Sequence, residues 1–348
     1  MKNFLLSVDY ELFFGADSGT VENCMIRPVR RLMTELNRHG YKMTVFWDIL
    51  HFYRLKQLED EVSDLYYDRD MIEQQIRTLI RYGHDVQMQI YPHWLDACWE
   101  NNQWQFHHNR FSLHRLWDEP DPDNIETVLG CITQARILME SVIRKEDPTY
   151  KVRVFRAGGS RVHPFSKLAD ALKTNEIRVD SSVVFGTRSL EPQFPFDYSK
   201  IPRDLYYRFN ESVLFKVSDG YFWEFPKESV LIPGLLRFVF YLQGIFSTTS
   251  LSRYGDGKPL WFTHRELWGH LWFNPGARYI RLTPENKTRF KWRYMMAMAR
   301  DNSQIMLNSK NIGPATIRLM RDLMTKKMVR FYSFRQRLAE LEVYDDLK

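Results

Sequence analysis

Phe4-Leu5-Leu6-Ser7-Val8-Asp9-Tyr10-Glu11 decides the fold class. Its first seven residues form a short apolar run rich in strand formers, and two carboxylates, Asp9 and Glu11, end it. Successive strand side chains alternate faces, so residues two apart put both acids on one side. Residues 11–19 turn away in a loop that ends on Asp17, Ser18 and Gly19. Outward from this run the pattern alternates. Ile26, Val29, Leu32, Met33 and Leu36 recur at helical spacing before Gly40, and residues 41–46 read as a second strand. Residues 70–81 repeat the helical pattern up to Gly83, and residues 86–91 read as a third strand. Strand and helix in alternation predict a parallel sheet covered by helices, as a barrel or a doubly wound sheet.

The alternation continues past a polar, aromatic segment at 94–123, read as a long loop at the C-terminal strand ends. A helix is expected at 124–143, a strand at 152–155, a helix at 164–173 and a strand start at 178–181. Pro192, Pro195 and Pro202 interrupt the pattern. Later elements are a strand at 221–225, an aromatic insertion at about 227–282, a helix at 284–300 and a strand at 304–307. A basic helix over about 315–340 closes the chain, with seven Lys or Arg residues between Arg318 and Arg337 against the single acid Asp322. With 348 residues and 44% hydrophobic composition, one domain spanning 1–348 is expected.

The formal charge of +6 gathers in that basic run, which suits a solvated face or contact with an anionic polymer or membrane surface. No helix-turn-helix, zinc-finger or RNA-binding signature accompanies it, so nucleic acid is not expected as a partner. The three cysteines, Cys24, Cys98 and Cys131, form neither a disulfide framework nor a paired-thiolate metal site. A cytoplasmic location is the expectation, because Asp9 and Glu11 also interrupt the N-terminal apolar run before a secretory core could form. The apolar stretch at 230–246 holds Pro233, Gly234, Arg237 and Gln243 and reads as a buried helix.

Two more segments carry candidate chemistry. Gly83-His84-Asp85-Val86-Gln87-Met88-Gln89-Ile90-Tyr91-Pro92-His93-Trp94 is a strand running into a loop, with His84, Gln89 and His93 at its ends. Phe155-Arg156-Ala157-Gly158-Gly159-Ser160 puts an arginine on a strand end before a glycine pair that permits close approach of a ligand or another backbone.

Together with Ser7-Val8-Asp9-Tyr10-Glu11, these segments resemble the polysaccharide deacetylase family, also called the NodB-homology family or carbohydrate esterase family 4. The resemblance runs from Phe4 to about Pro314 and implies an incomplete or distorted (β/α)7 barrel. It assigns the catalytic base to Asp9, a carboxylate metal ligand to Glu11, two further ligand positions to Gln89 and His93, and the base-orienting arginine to Arg156. The position of the general acid falls on Asn308, in Leu307-Asn308-Ser309, and Trp94 and Trp223 offer rings to a sugar. The implied activity is removal of acetyl groups from a saccharide or polysaccharide in cytoplasmic polysaccharide assembly, with zinc or a similar divalent metal.

Two departures bear on that chemistry. An amide at Gln89 is a weaker metal ligand than imidazole, and an amide at Asn308 cannot donate a proton at neutral pH. His84, His107, His108 and His163 are other imidazoles within reach of the sequence argument, and His84 points to the wrong strand face. The alternative implied by the same residues is a non-catalytic glycan-binding or assembly protein with a degenerate deacetylase site.

Overall fold

A computed structural model describes residues 1–189, 195–246, 252–259 and 277–341. Seven strands line a parallel ring: β1 (Lys2–Tyr10), β2 (Thr44–Asp48), β3 (Asp85–Ile90), β4 (Val154–Ala157), β5 (Val179–Asp180), β6 (Phe222–Glu224) and β7 (Ser303–Asn308). β1 lies between β7 and β2, with Asp9 paired to Asn308 on one side and to Phe46 on the other. Buried from Phe4 to Tyr10, it is covered on both faces, which explains its nearly continuous apolar run. β2, β3, β4, β5 and β6 follow in order, and Asp48, Gln89 and Arg156 stand in register across three of them.

The ring closes by a narrow seam. Beyond β6 the chain stays extended, and Lys227 forms parallel bridges to Val184 and to Gln304 of β7. The Lys227 N–H donates to the Val183 carbonyl at 2.9 Å, and the Glu228 N–H to the Gln304 carbonyl at 3.3 Å. The expected incomplete (β/α)7 barrel is therefore what the chain forms.

The outer helices include α1 (Arg27–Arg38), α2 (Ile49–Leu58), α3 (Ser63–Arg81), α4 (Val128–Ile143), α5 (Ser166–Thr174), α6 (Gly234–Phe246), α7 (Arg289–Met298), α8 (Pro314–Thr325) and α9 (Phe334–Glu340). Helix α2 and the start of α3 fall where periodicity marks no helix. α2 buries Ile49, Leu50, His51, Phe52 and Leu55, which are too closely bunched to show a polar stripe.

The C-terminal region differs from the single basic helix expected. It holds two helices, α8 and α9, with a strand, β8 (Val329–Tyr332), between them. β8 pairs with Lys2–Leu5 of β1, beneath the stretch where β2 begins. Its alternation of buried Val329 and Phe331 with exposed Arg330 is a strand pattern that the basic residues disguise. α9 then closes the barrel floor: the Phe334 N–H donates to Thr44 Oγ1 at 2.7 Å, and Phe334 and Leu338 pack with Leu5, Phe46, Val154, Val179 and Phe225.

Within the expected aromatic insertion, a strand at Ser229–Ile232 pairs antiparallel with Arg278–Arg281 and leads into α6. Parts of that insertion, 247–251 and 260–276, lie outside the described residues. Among the described residues no helix is long and apolar enough to cross a membrane.

Gly130 sits in the first turn of α4, where its N–H donates to the Thr127 cap at 2.9 Å. A Cβ there would lie 1.9 Å from the Asn124 carbonyl oxygen, which is backbone and cannot rotate away. Gly→Ala in a helix is ordinarily worth up to about 1 kcal/mol of stability. Gly130→Ala is expected to reverse that sign and cost about 1–3 kcal/mol, the usual range for overpacking. Denaturant unfolding checks it, and a midpoint at or above that of the unsubstituted chain would show that the Asn124 turn gives way freely.

Candidate functional site

Arg156 reaches from β4 across the inside of the barrel and is fully buried. Its Nη1 hydrogen-bonds Asp9 Oδ1, its Nε donates to the Ser181 carbonyl at 2.8 Å, and its Nη2 donates to Ser181 Oγ at 2.9 Å. The guanidinium carbon sits 3.6 Å from the centre of the Phe46 ring. Gln304 completes the layer with its amide oriented to accept from Ser7 Oγ and Arg156 Nη2, at 2.7 and 2.6 Å, and to donate to the Phe225 carbonyl. Burial lowers the Arg156 pKa, and the charge and hydrogen bond of Asp9 oppose that shift.

Above this layer lies Glu11. Asn308 Nδ2 donates to Glu11 Oε1, and Lys310 Nζ stands 2.9 Å from the same oxygen. Lys310 also donates to the Leu12 carbonyl at 2.7 Å and lies 4.5 Å from the Phe14 ring centre. The acid pair read from sequence thus divides its partners: Asp9 takes Arg156, and Glu11 takes Asn308 and Lys310.

The structure adds Asp48, which the sequence reading overlooked. It is fully buried at the end of β2 and accepts from Trp94 Nε1 at 2.6 Å. Burial raises its pKa well above the usual carboxylate range, and the nearby Glu11 charge pushes the same way. The available signal was an acid ending a second apolar strand, Thr44-Val45-Phe46-Trp47-Asp48, in the manner of Asp9.

His93 follows Pro92 in a short turn and is completely enclosed. Phe111 stacks on it at 5.0 Å and 8°, Phe14 meets it edge-on at 4.5 Å, and Phe106, His108 and Trp94 stand between 5.3 and 5.8 Å. Burial depresses the His93 pKa, with His108 and Lys310 adding to the effect. Glu11 Oε2, Asp48 Oδ1, Gln89 Oε1 and both His93 nitrogens are buried without a hydrogen-bond partner.

These donors do not fit a catalytic metal. Among the described residues no three His, Cys, Asp or Glu side chains form a metal-holding group. Glu11 already has an ammonium partner, Gln89 is a neutral amide, and rings enclose His93.

The two tryptophans expected at a sugar surface lie elsewhere. Trp94 is buried against Asp48 and His51, because its indole N–H needs an acceptor once it leaves water. Trp223 packs at the edge of the lower apolar cluster beside Tyr206, on the far side of Arg156 from Glu11. His84 Nδ1 accepts from the Met43 N–H at 3.2 Å, which holds it at the opposite end of β3.

No family model matches the sequence, and no curated protein matches it. Solved structures do. Polysaccharide deacetylases are among the folds it resembles. A polysaccharide deacetylase-like structure from Mycobacterium smegmatis aligns at TM-score 0.46 and 11% identity, covering 99% of this chain and 91% of that one. A family 4 acetyl xylan esterase from Clostridium thermocellum, in complex with a cobalt ion, aligns at TM-score 0.37 and 9% identity over 97% and 91% of the two chains. A 4-alpha-glucanotransferase from Thermococcus litoralis aligns at TM-score 0.43 and 11% identity, covering 98% of this chain and 40% of that one. Likeness at this level extends to enzymes of different reactions and assigns none of them here.

Two outcomes follow from the geometry. Arg156→Met leaves the Asp9 carboxylate buried and unpaired and is expected to cost about 3–5 kcal/mol, whereas adding Asp9→Asn should recover a large part of that loss. A double-mutant cycle by denaturant unfolding measures it, and simple additivity would show that the pair is not coupled. The second concerns acid. His51, fully buried and stacked on Trp94 at 4.3 Å, has its pKa pushed down to about 3 by burial. Its unfolded-state pKa is about 6.5, so its contribution is complete above that value and falls as pH drops towards 3, by up to about 1.4 kcal/mol per pH unit. Unfolding of His51→Phe should therefore depend less on pH between about 6.5 and 4 than unfolding of the unsubstituted chain, and equal slopes would contradict it.

Proposed function

We propose that this chain is a deacetylase-like barrel that holds a saccharide at its mouth without metal-dependent deacetylation. The observation that carries this reading is the pairing of Glu11 with Lys310 at 2.9 Å, with Asn308 donating to the same carboxylate oxygen. In the chemistry implied by the sequence resemblance, Glu11 would ligate a divalent cation and position 308 would protonate the leaving group. Here the charge facing Glu11 belongs to the protein, and the residue at 308 orients that carboxylate. The saccharide is taken from the resemblance of the motifs around Asp9, His93 and Arg156. A part in cytoplasmic polysaccharide assembly, and contact of the basic C-terminal surface with an anionic polymer or membrane, belong to the same proposal.

A second reading, an active metal-dependent deacetylase, is favoured by the unpartnered atoms of Glu11, Asp48, Gln89 and His93. One experiment decides between the two. After exhaustive dialysis, the chain should hold well under one equivalent of zinc or cobalt and release no acetate from acetylated chito-oligosaccharides. Gln89→His with Asn308→His should remain metal-poor, because Lys310 still faces Glu11. Adding Lys310→Ala should raise cobalt affinity at least tenfold. Stoichiometric metal in the unsubstituted chain together with acetate release would overturn the proposal.

A further inference from the structure

The segment after β4 carries a second constellation, separate from the metal positions. Gly158, Gly159 and Ser160 turn sharply at the C-terminal end of the strand, and both Gly159 and Ser160 take left-handed backbone angles, with φ of 60° and 63°. Glycine adopts that conformation freely. For serine it is uncommon and persists only where the surroundings impose it, a form of strain that gathers at functional sites. Tyr198 helps impose it, since its hydroxyl donates to the Ser160 carbonyl at 2.7 Å. Ser160 itself is half-buried.

Facing that hydroxyl is Lys227, the residue that closes the barrel seam, with Nζ 2.9 Å from Ser160 Oγ. We propose that Ser160 and Lys227 form a nucleophile and general-base pair that hydrolyses a small carboxylic ester. A seryl hydroxyl needs an adjacent base to become nucleophilic, and an uncharged lysine is an established form of that base. The lysine can be uncharged here. It is buried, and burial with the Arg156 and Arg281 charges brings its pKa down to about 7, against the opposing charges of Asp9 and Glu224. Tyr198 contacts the Ser160 carbonyl, Arg161 follows Ser160 in sequence, and Asp180 is a further charge facing Lys227.

The step balances without a metal or redox partner. Neutral Lys227 takes the Ser160 Oγ proton as Oγ bonds to the ester carbonyl carbon. The carbon–oxygen bond to the alcohol breaks, and the Lys227 ammonium returns the proton to the departing alkoxide. Water then attacks the acyl-serine with Lys227 again as base, and the acid leaves as Ser160 regains its proton. The register of the barrel makes the pair possible: β6 and β4 flank β5, and the extended run past Phe225 carries Lys227 to the level of the Ser160 turn.

A fluorophosphonate probe tests this directly, because it labels an activated serine with loss of fluoride. The full-length chain should gain one phosphonyl group on Ser160, found by peptide mass spectrometry, at a rate that rises as pH passes about 7 and is unaffected by EDTA. Ser160→Ala should abolish labelling and the hydrolysis of 4-nitrophenyl acetate. Lys227→Met, similar in size and without the amine, should slow both by about 10²–10⁴, the usual worth of a general base. Circular dichroism confirms folding of each variant; should Lys227→Met not fold, Ser160→Ala and the pH dependence of labelling carry the test. Labelling at another residue, no labelling of folded protein, or labelling lost with EDTA would overturn the proposal, and the EDTA result would return the chemistry to the Glu11 and His93 region.

Discussion

A single buried ion pair organises the barrel. A guanidinium withdrawn from water costs several kcal/mol unless each of its donors is answered. Arg156 finds Asp9, Ser7, Ser181 and Gln304 around it, contributed by β1, β7 and the end of β5. Those partners lie on opposite sides of the ring, so the pair sets the barrel's diameter as well as its polarity. Above it is a polar chamber of acids and amides. Below it, resting on Phe46, is an apolar floor closed by α9. The two ends of β1 differ for the same reason: Leu5 packs in the apolar floor, and Asp9 meets the Arg156 charge.

Much of this was legible because parallel strands announce themselves as apolar runs and amphipathic helices as stripes. All seven ring strands, and helices α1, α3, α4, α5, α6 and α7, follow from those periods, with boundaries displaced by several residues. Phe222, Trp223 and Phe225 mark β6 as a strand, but its extension to Lys227 was hidden by Pro226 and by being only two bridges wide. Helix α2 stayed hidden because it is apolar on most sides, and β8 because charged residues interrupt it. At the site, Asp9 and Arg156 could be paired through the family resemblance. Asp48 could not, since one acid at the end of an apolar strand resembles any solvated strand end until the strand's position in the ring is known. The enclosure of His93 depends on Phe14, from the loop after β1, and on Phe106 and Phe111, from the long loop after β3, and no local pattern foretells that the two loops meet.

The mouth is also a study in where positive charge comes from. Three basic residues, Arg156, Lys227 and Lys310, stand among Asp9, Glu11, Glu224 and Asp48, and each is held by backbone or hydroxyl groups. Cations attached to the chain cannot be exchanged, chelated or diluted away. What they lack is the ability to polarise a bound water as a divalent ion does.

The central position of β1 has a consequence for how the chain is made. β1 emerges before the other strands of the ring, yet its partners β7 and β8 are encoded about 300 residues later. Until those arrive, one edge of an almost wholly apolar strand has no neighbour, and Asp9 waits for an arginine that is itself far downstream. At the usual pace of translation that interval is on the order of tens of seconds, long enough for an unprotected strand edge to find another chain. The barrel is thus most vulnerable while β1 lacks its neighbours, and its release from that state is timed by β7 and β8.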